Sequence, residues 1–194
     1  MAESDLVYIG TSKCFFVGFL VPPAEEASDL TLMETNHSVA RFPLQAYDYI
    51  AALSTATTYD EFLNIIIGAG GTQEDMRQFL KSRRIISVPE KLTLAEFKEI
   101  FSGIAIVSLT GNYAENVNDL EVDYLFPNVP TSRLTVSRLV YEFLKVSDGD
   151  LDIAQTAFEA AQGNDDVVAE VIAQLLLSLP ALISRRLVAL LHTK

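Results

Sequence analysis

The residues with the most chemical promise form a glycine run, Gly68-Ala69-Gly70-Gly71, that follows the apolar Ile65-Ile66-Ile67 and precedes a segment of helical period. A strand ending in Gly-x-Gly ahead of a helix is how dinucleotide folds aim backbone N–H groups at a pyrophosphate, and an acid, Glu90, follows about twenty residues on. The details run the other way. Gln73 stands where the third glycine belongs, and one such unit is present where a doubly wound sheet needs several. Glu61, three residues after Thr58, makes 59–67 helical. The run is therefore expected to be a turn between two helices. A nucleotide-dependent enzyme using Gly68–Gly71 is the lowest-ranked of three readings.

Other reactive side chains are isolated. His37 falls in a predicted hairpin turn and His192 near the C-terminus, neither with a cysteine or carboxylate at ligand spacing. Cys14 lies in an apolar run with no adjacent base and reads as a small buried hydrophobe. Asp148, Asp150 and Asp152 lack the later glycine and glutamate of a calcium loop, so they read as a solvated helix start. No catalytic, cofactor-binding or metal-ligating residue is assigned, and no cofactor is expected. The cations are better placed. Arg77, Lys81, Arg83 and Arg84 concentrate on or just after one predicted helix, together with Gln73 and Gln78, where a winged helix would meet a major groove.

What must position these residues is a repeat. Displaced by 90 positions, Phe15–Leu30 lies over Ala105–Leu120 with five of 16 residues identical, against about one expected from ordinary residue usage. Two extra residues in the second turn move the offset to 92, and the helix that follows keeps its apolar phase. Phe62, Ile65 and Ile66 then fall over Ala154, Ala157 and Phe158, and Met76, Phe79 and Leu80 over Val168, Val171 and Ile172, both with the spacing of one helix face. Ser82–Val88 resembles Ser184–Leu190 if the second copy carries ten extra residues.

Local signals fill in the elements. Residues 6–21 alternate little, as strands covered on both faces do. Leu30–Glu34 and Val39–Phe42 read as a hairpin around Asn36-His37-Ser38. Helices are expected from Leu44 to Ser54, after Thr58 in a capping box with Glu61, and from Gln73 to Ser82 after Thr72. Arg84–Val88 reads as a closing strand. A linker helix begins at the capping box Thr93–Glu96. The plan repeats from Gly103, with Asn164 capping a third helix over Val167–Leu179 that Pro180 is expected to break. Ala181–Leu191 fits either a strand or a helix.

Three strands followed by three short helices and a closing strand resembles the winged helix-turn-helix domains. The order of elements is most similar to the PqqD-like peptide-recognition type, on Phe15–Val21, Leu30–Glu34, Val39–Phe42 and Leu44–Ser54, and again on Ala105–Leu109, Leu120–Leu125, Ser132–Leu134 and Val136–Ser147. The resemblance implies that an extended peptide adds a strand beside the hairpin and packs against the third helix. The expected fold is α+β, with two winged-helix-like units, each a β-hairpin plus three helices, over residues 1–90 and 103–194, joined by a linker helix over 91–102.

Composition bounds the partners. Twenty-six acids against fourteen bases give a net charge of −12, shared by both halves, which repels nucleic acid and anionic lipid at long range. One cysteine excludes an internal disulfide, so a reducing, cytoplasmic setting is expected. The uncharged stretch Val171–Ser184 is short for a membrane span. The leading reading is a non-enzymatic peptide- or protein-binding module with candidate contacts at Leu32, Val39, Arg41, Arg77, Lys81, Arg83 and Arg84. The alternative is a winged-helix DNA-binding regulator acting through residues 73–84. Val171, Leu175, Leu179 and Leu182 offer more apolar surface than one small unit hides, and a homo-oligomer interface is expected there.

Overall fold

The computed structural model describes residues 6–24, 27–35, 37–109, 114–115, 121–126 and 129–193, and their side chains except at 9 and 110–133. The chain is mixed α+β, with small sheets of two or three strands around helices. Three short strands open it, β1 (Leu6–Ile9), β2 (Lys13–Phe16) and β3 (Phe19–Val21). The hairpin β4 (Asp29–Met33) and β5 (Val39–Pro43) follows, its pairing running from Asp29↔Pro43 to Met33↔Val39. Asn36, in its predicted turn, lies outside the described residues.

A 3-10 turn over Leu44–Ala46 leads into α1 (Tyr47–Leu53), so the regular helix begins three residues after the predicted start. Pro43 cannot donate to the first turn and instead ends β5. Next come α2 (Tyr59–Gly68) and α3 (Gln73–Lys81), each opened by a threonine whose hydroxyl accepts an N–H from the third helical residue while that residue's carboxylate returns the bond. β6 (Ile85–Val88) and β7 (Lys91–Thr93) lead to α4 (Leu94–Phe101), opened by the Thr93–Glu96 capping box.

The second half holds β8 (Ile104–Ser108), β9 (Ala114–Glu115), β10 (Glu121–Phe126), β11 (Val129–Ser137), α5 (Arg138–Val146), α6 (Ile153–Ala160), α7 (Asp165–Ser184) and β12 (Val188–His192). Of the second copy's predicted turn, residues 127–128 lie outside the described residues. Val136, expected in the helix, is still in β11.

Strand pairing recurs between the halves. β2 runs antiparallel to β6, from Lys13↔Val88 to Phe16↔Ile85, and β8 runs antiparallel to β12, from Ile104↔His192 to Ser108↔Val188. Each half thus closes its first apolar strand against the strand after its third helix. The halves join where Gly18 donates its N–H to the Leu190 carbonyl at 2.7 Å and His192 donates to that of Glu34 at 2.9 Å. Thr193, beyond β12, donates to Gly103 at 2.9 Å, so this end of the chain is held in place.

Successive side chains of a strand point to opposite faces, and β2 uses both. Cys14 and Phe16 enter a core with Leu20, Leu30, Leu32, Ile50, Phe62, Ile66 and Met76. Phe15, with the following Val17, enters a larger one containing Val7, Tyr8, Val88, Phe97, Phe101, Phe143 and the buried face of α7. That is why 14–17 show no polar alternation. The larger core takes side chains from the first half, from α4 and from the second half alike.

Two expectations about α7 are corrected. Pro180 does not end the helix, which runs 20 residues to Ser184. A proline forfeits one backbone bond, and here Leu179, Leu182 and Ile183 on either side are buried and hold the axis. The second copy's extra length, expected as ten residues, is eleven and lies in this helix, 20 residues long against nine for α3, and Ala181–Leu191 is helix first and strand afterwards. Nor are Val171, Leu175, Leu179 and Leu182 a surface: all four are 0% exposed, because α7 packs against β1, α5 and α6. By length and composition alone α7 could cross a membrane, yet eight of its side chains are core residues.

Candidate functional site: a groove between the hairpin, α1 and α3

The glycine run has a structural account. Gly70, at φ +86°, and Gly71 donate their N–H groups to the carbonyls of Ile67 and Ile66, closing the end of α2. A Cβ on Gly71 would stand 2.7 Å from Ile66 Cγ2, so the turn needs glycine there. Residues 59–68 are helix rather than the strand a pyrophosphate cradle requires.

Beside this turn the first half leaves an apolar groove. One section, a cavity of about 210 Å³, is lined by Leu32 and Phe42 of the hairpin, Tyr49 and Ile50 of α1, Phe79 of α3, and Arg84. Tyr49 and Phe79 also line a second section together with Gly70, Gly71 and Asp75. The groove therefore follows the seam between α1 and α3, with β5 along one margin. Burial and the Asp75 carboxylate push the Tyr49 hydroxyl above its usual range. It stays protonated and can donate. The Asp75 pKa is itself lowered, because the hydroxyl and N–H of Thr72 bond to its carboxylate at 2.8 and 2.7 Å. β5 pairs with β4 alone among the described strands, so its other edge offers backbone donors and acceptors.

The structure disperses the predicted contacts. Val39 is 53% exposed and Arg41 exposed, both on β5, whereas Leu32 is 2% exposed and serves as the groove's floor rather than its rim. Arg77 is exposed and paired with Glu74 at 3.0 Å, and Lys81 is exposed in the last turn of α3. Arg84 pairs with Glu34 across the groove's end. Arg83, in the left-handed turn after α3 at φ 58°, donates to the carbonyls of Ile100 at 2.7 Å and Ser102 at 2.8 Å. Its positive guanidinium thus closes the C-terminus of α4, where the backbone dipole favours a cation. Substituting Arg83→Ala removes two charge-assisted bonds and is expected to cost about 1–2 kcal/mol, measured by urea unfolding, with Arg83→Lys recovering part of it.

His192, expected at a frayed end, belongs to β12 and is half-buried against this junction. Burial, then Arg83 and Arg84, hold its pKa below the ordinary 6.5, and Glu34 opposes them. The folded state resists a proton that the unfolded chain accepts. Stability from this source is complete above about pH 6.5 and is lost as pH falls from there toward the lower folded value. Urea midpoints at about pH 7.5 and 5.5 should differ less in His192→Gln than in the wild type.

The remaining chemical candidates take local roles. Cys14 is buried, and burial pushes its thiol up, which suppresses the thiolate. Asp148 accepts the N–H of Asp150 and Asp152 caps α6. Among the described residues no group of three or more His, Cys, Asp or Glu could hold a metal. Sequence reasoning missed Phe42, Tyr49 and Phe79 as a set, because they come from three elements; the one local signal was aromatic residues beside positions that face the core. Comparison with protein-family models, with curated proteins and with solved structures finds no match.

Proposed function

We propose that the chain is a peptide- or protein-binding module built from two winged-helix-like repeats, and that its first half takes an extended segment along β5. The observation that carries this is an unpaired strand edge running beside an apolar groove. Main-chain bonds to β5 would supply affinity without regard to sequence, and an aromatic or aliphatic side chain set between Phe42, Tyr49 and Phe79 would supply selectivity. Arg84 and the protonated Tyr49 offer polar contacts at the groove's walls. The net charge of −12 favours a neutral or basic ligand at long range.

The recurring pairing of β2 with β6 and β8 with β12, and the matched order of the three helices after each hairpin, support the two-repeat reading. The DNA reading is weakened, since Arg77, Arg83 and Arg84 are each engaged by a carboxylate or carbonyl of the chain itself.

Peptides selected from a random display library on the folded protein test the proposal. Phe79→Asp is expected to weaken the selected peptides by at least about tenfold, as losing a pocket anchor does, while Phe158→Ser on the other half leaves them unchanged. A library that yields no binder weakened by Phe79→Asp would overturn it.

A further inference from the structure

A second groove, of about 580 Å³, lies between α4, α6 and the start of α7. Its apolar surface comes from Leu94, Leu151, Ala154, Phe158 and Val168, and its walls carry Asp152, Glu159 and Asp165, with Lys98 among them. Phe158 is 51% exposed. The carbonyls of Ile66 and Phe158 hold the same place in the turns that end α2 and α6, accepting from Gly71 and Gly163. Yet Ile66 is 1% exposed, covered by its own half, whereas the described residues leave half of Phe158 uncovered. A large aromatic left half in water costs solvation free energy that burial would recover.

The charges say what fits. Asp152 is engaged as the cap of α6, accepting the Gln155 N–H at 2.9 Å. Among the described residues neither Glu159 nor Asp165 has an ion-pair partner, and Lys98 bonds to none of the three. An occupant must therefore bring an apolar group to Phe158 and positive charge to the acidic walls. We infer that this groove docks a cationic amphipathic segment of a partner protein, in which Lys or Arg residues flank an apolar anchor seated on Phe158. The site is separate from the β5 groove and does not depend on it. At this size it holds two or three side chains, as sites for short linear segments do.

The probe is a fluorescein-labelled peptide repeating Lys-Leu-Leu-Lys, beside its Glu-for-Lys counterpart, each titrated into the full chain and followed by anisotropy. The lysine peptide should bind and the glutamate peptide should not. Phe158→Ser should weaken the lysine peptide by roughly tenfold or more. The pair Glu159→Lys/Asp165→Lys should do the same and should admit the glutamate peptide, since the sign of the wall selects the partner. Nonspecific attraction to an acidic protein is controlled by Asp48→Lys/Glu90→Lys, which makes an equal charge change elsewhere and should leave binding intact. All substituted residues except the groove's own Phe158 are exposed acids, and circular dichroism checks that each variant is folded. Failure of the lysine peptide to bind, equal loss in the control pair, or indifference to Phe158→Ser would each overturn the inference.

Discussion

Leu175→Asp is expected to abolish folding rather than to release a folded monomer. Leu175 is 0% exposed in the middle of α7, and its neighbours in the larger core are the aliphatic and aromatic side chains of both halves. Among the described residues no Lys or Arg is buried, so an aspartate there has no cation to meet. It must either protonate or carry water into the core, at a cost of several kcal/mol, comparable with the whole stability of an ordinary domain at about 5–15 kcal/mol. The milder Leu175→Ala should cost about 2–5 kcal/mol through lost burial and the cavity left behind. Far-UV circular dichroism and urea unfolding read both. A soluble, fully helical Leu175→Asp protein with reduced oligomer size would mean that this face of α7 is an interface after all.

Residues 1–90 produced alone are expected to lack a cooperative thermal transition. Phe15, Ile86 and Val88 of the β2–β6 pair, with Val17 just after β2, point into the larger core, and Val7 and Tyr8 of β1 do the same. Removing the second half leaves six buried apolar side chains in water, each worth about 1.5–3 kcal/mol of burial. It also removes the bonds from β12 to Gly18 and Glu34. The fragment should be aggregation-prone, with a collapsed amide spectrum by NMR. A sharp melt and dispersed resonances from residues 1–90 would instead show an autonomous unit.

What the sequence made legible was local. Thr58 with Glu61 and Thr93 with Glu96 each announce a helix start through bonds spanning three residues, Thr72 announces another as a cap, and all three helices begin there. The missing alternation over 14–17 correctly marks a strand buried on both faces. Long-range facts were not legible. Nothing near Arg83 in the chain points to the carbonyls of Ile100 and Ser102, 17 and 19 residues away. Pro180 obeys a local rule that packing overrode.

The repeat shows both limits. Sequence identity sets the first strands at an offset of 90, but the bonds Val17 to Arg84 and Leu109 to Leu187 place Leu109, not Val107, opposite Val17. Aligning Ile66 with Phe158 was right for the turn and silent about burial, which differs because the covering residues come from other elements. The hairpin and the third helix of the first half were legible as elements, but the cavity between them and its lining were not. Phe42, Tyr49 and Phe79, far apart in the chain, line one cavity only once β5, α1 and α3 are assembled.

The most direct test of the account is amide hydrogen exchange, read by NMR on the full chain with and without a peptide selected for binding. The proposal predicts that amides of Val39–Phe42 which exchange freely in the unbound protein become protected, together with shifts at Tyr49 and Phe79. Protection confined to other elements, with β5 unchanged, would contradict strand addition and with it the assignment of this groove.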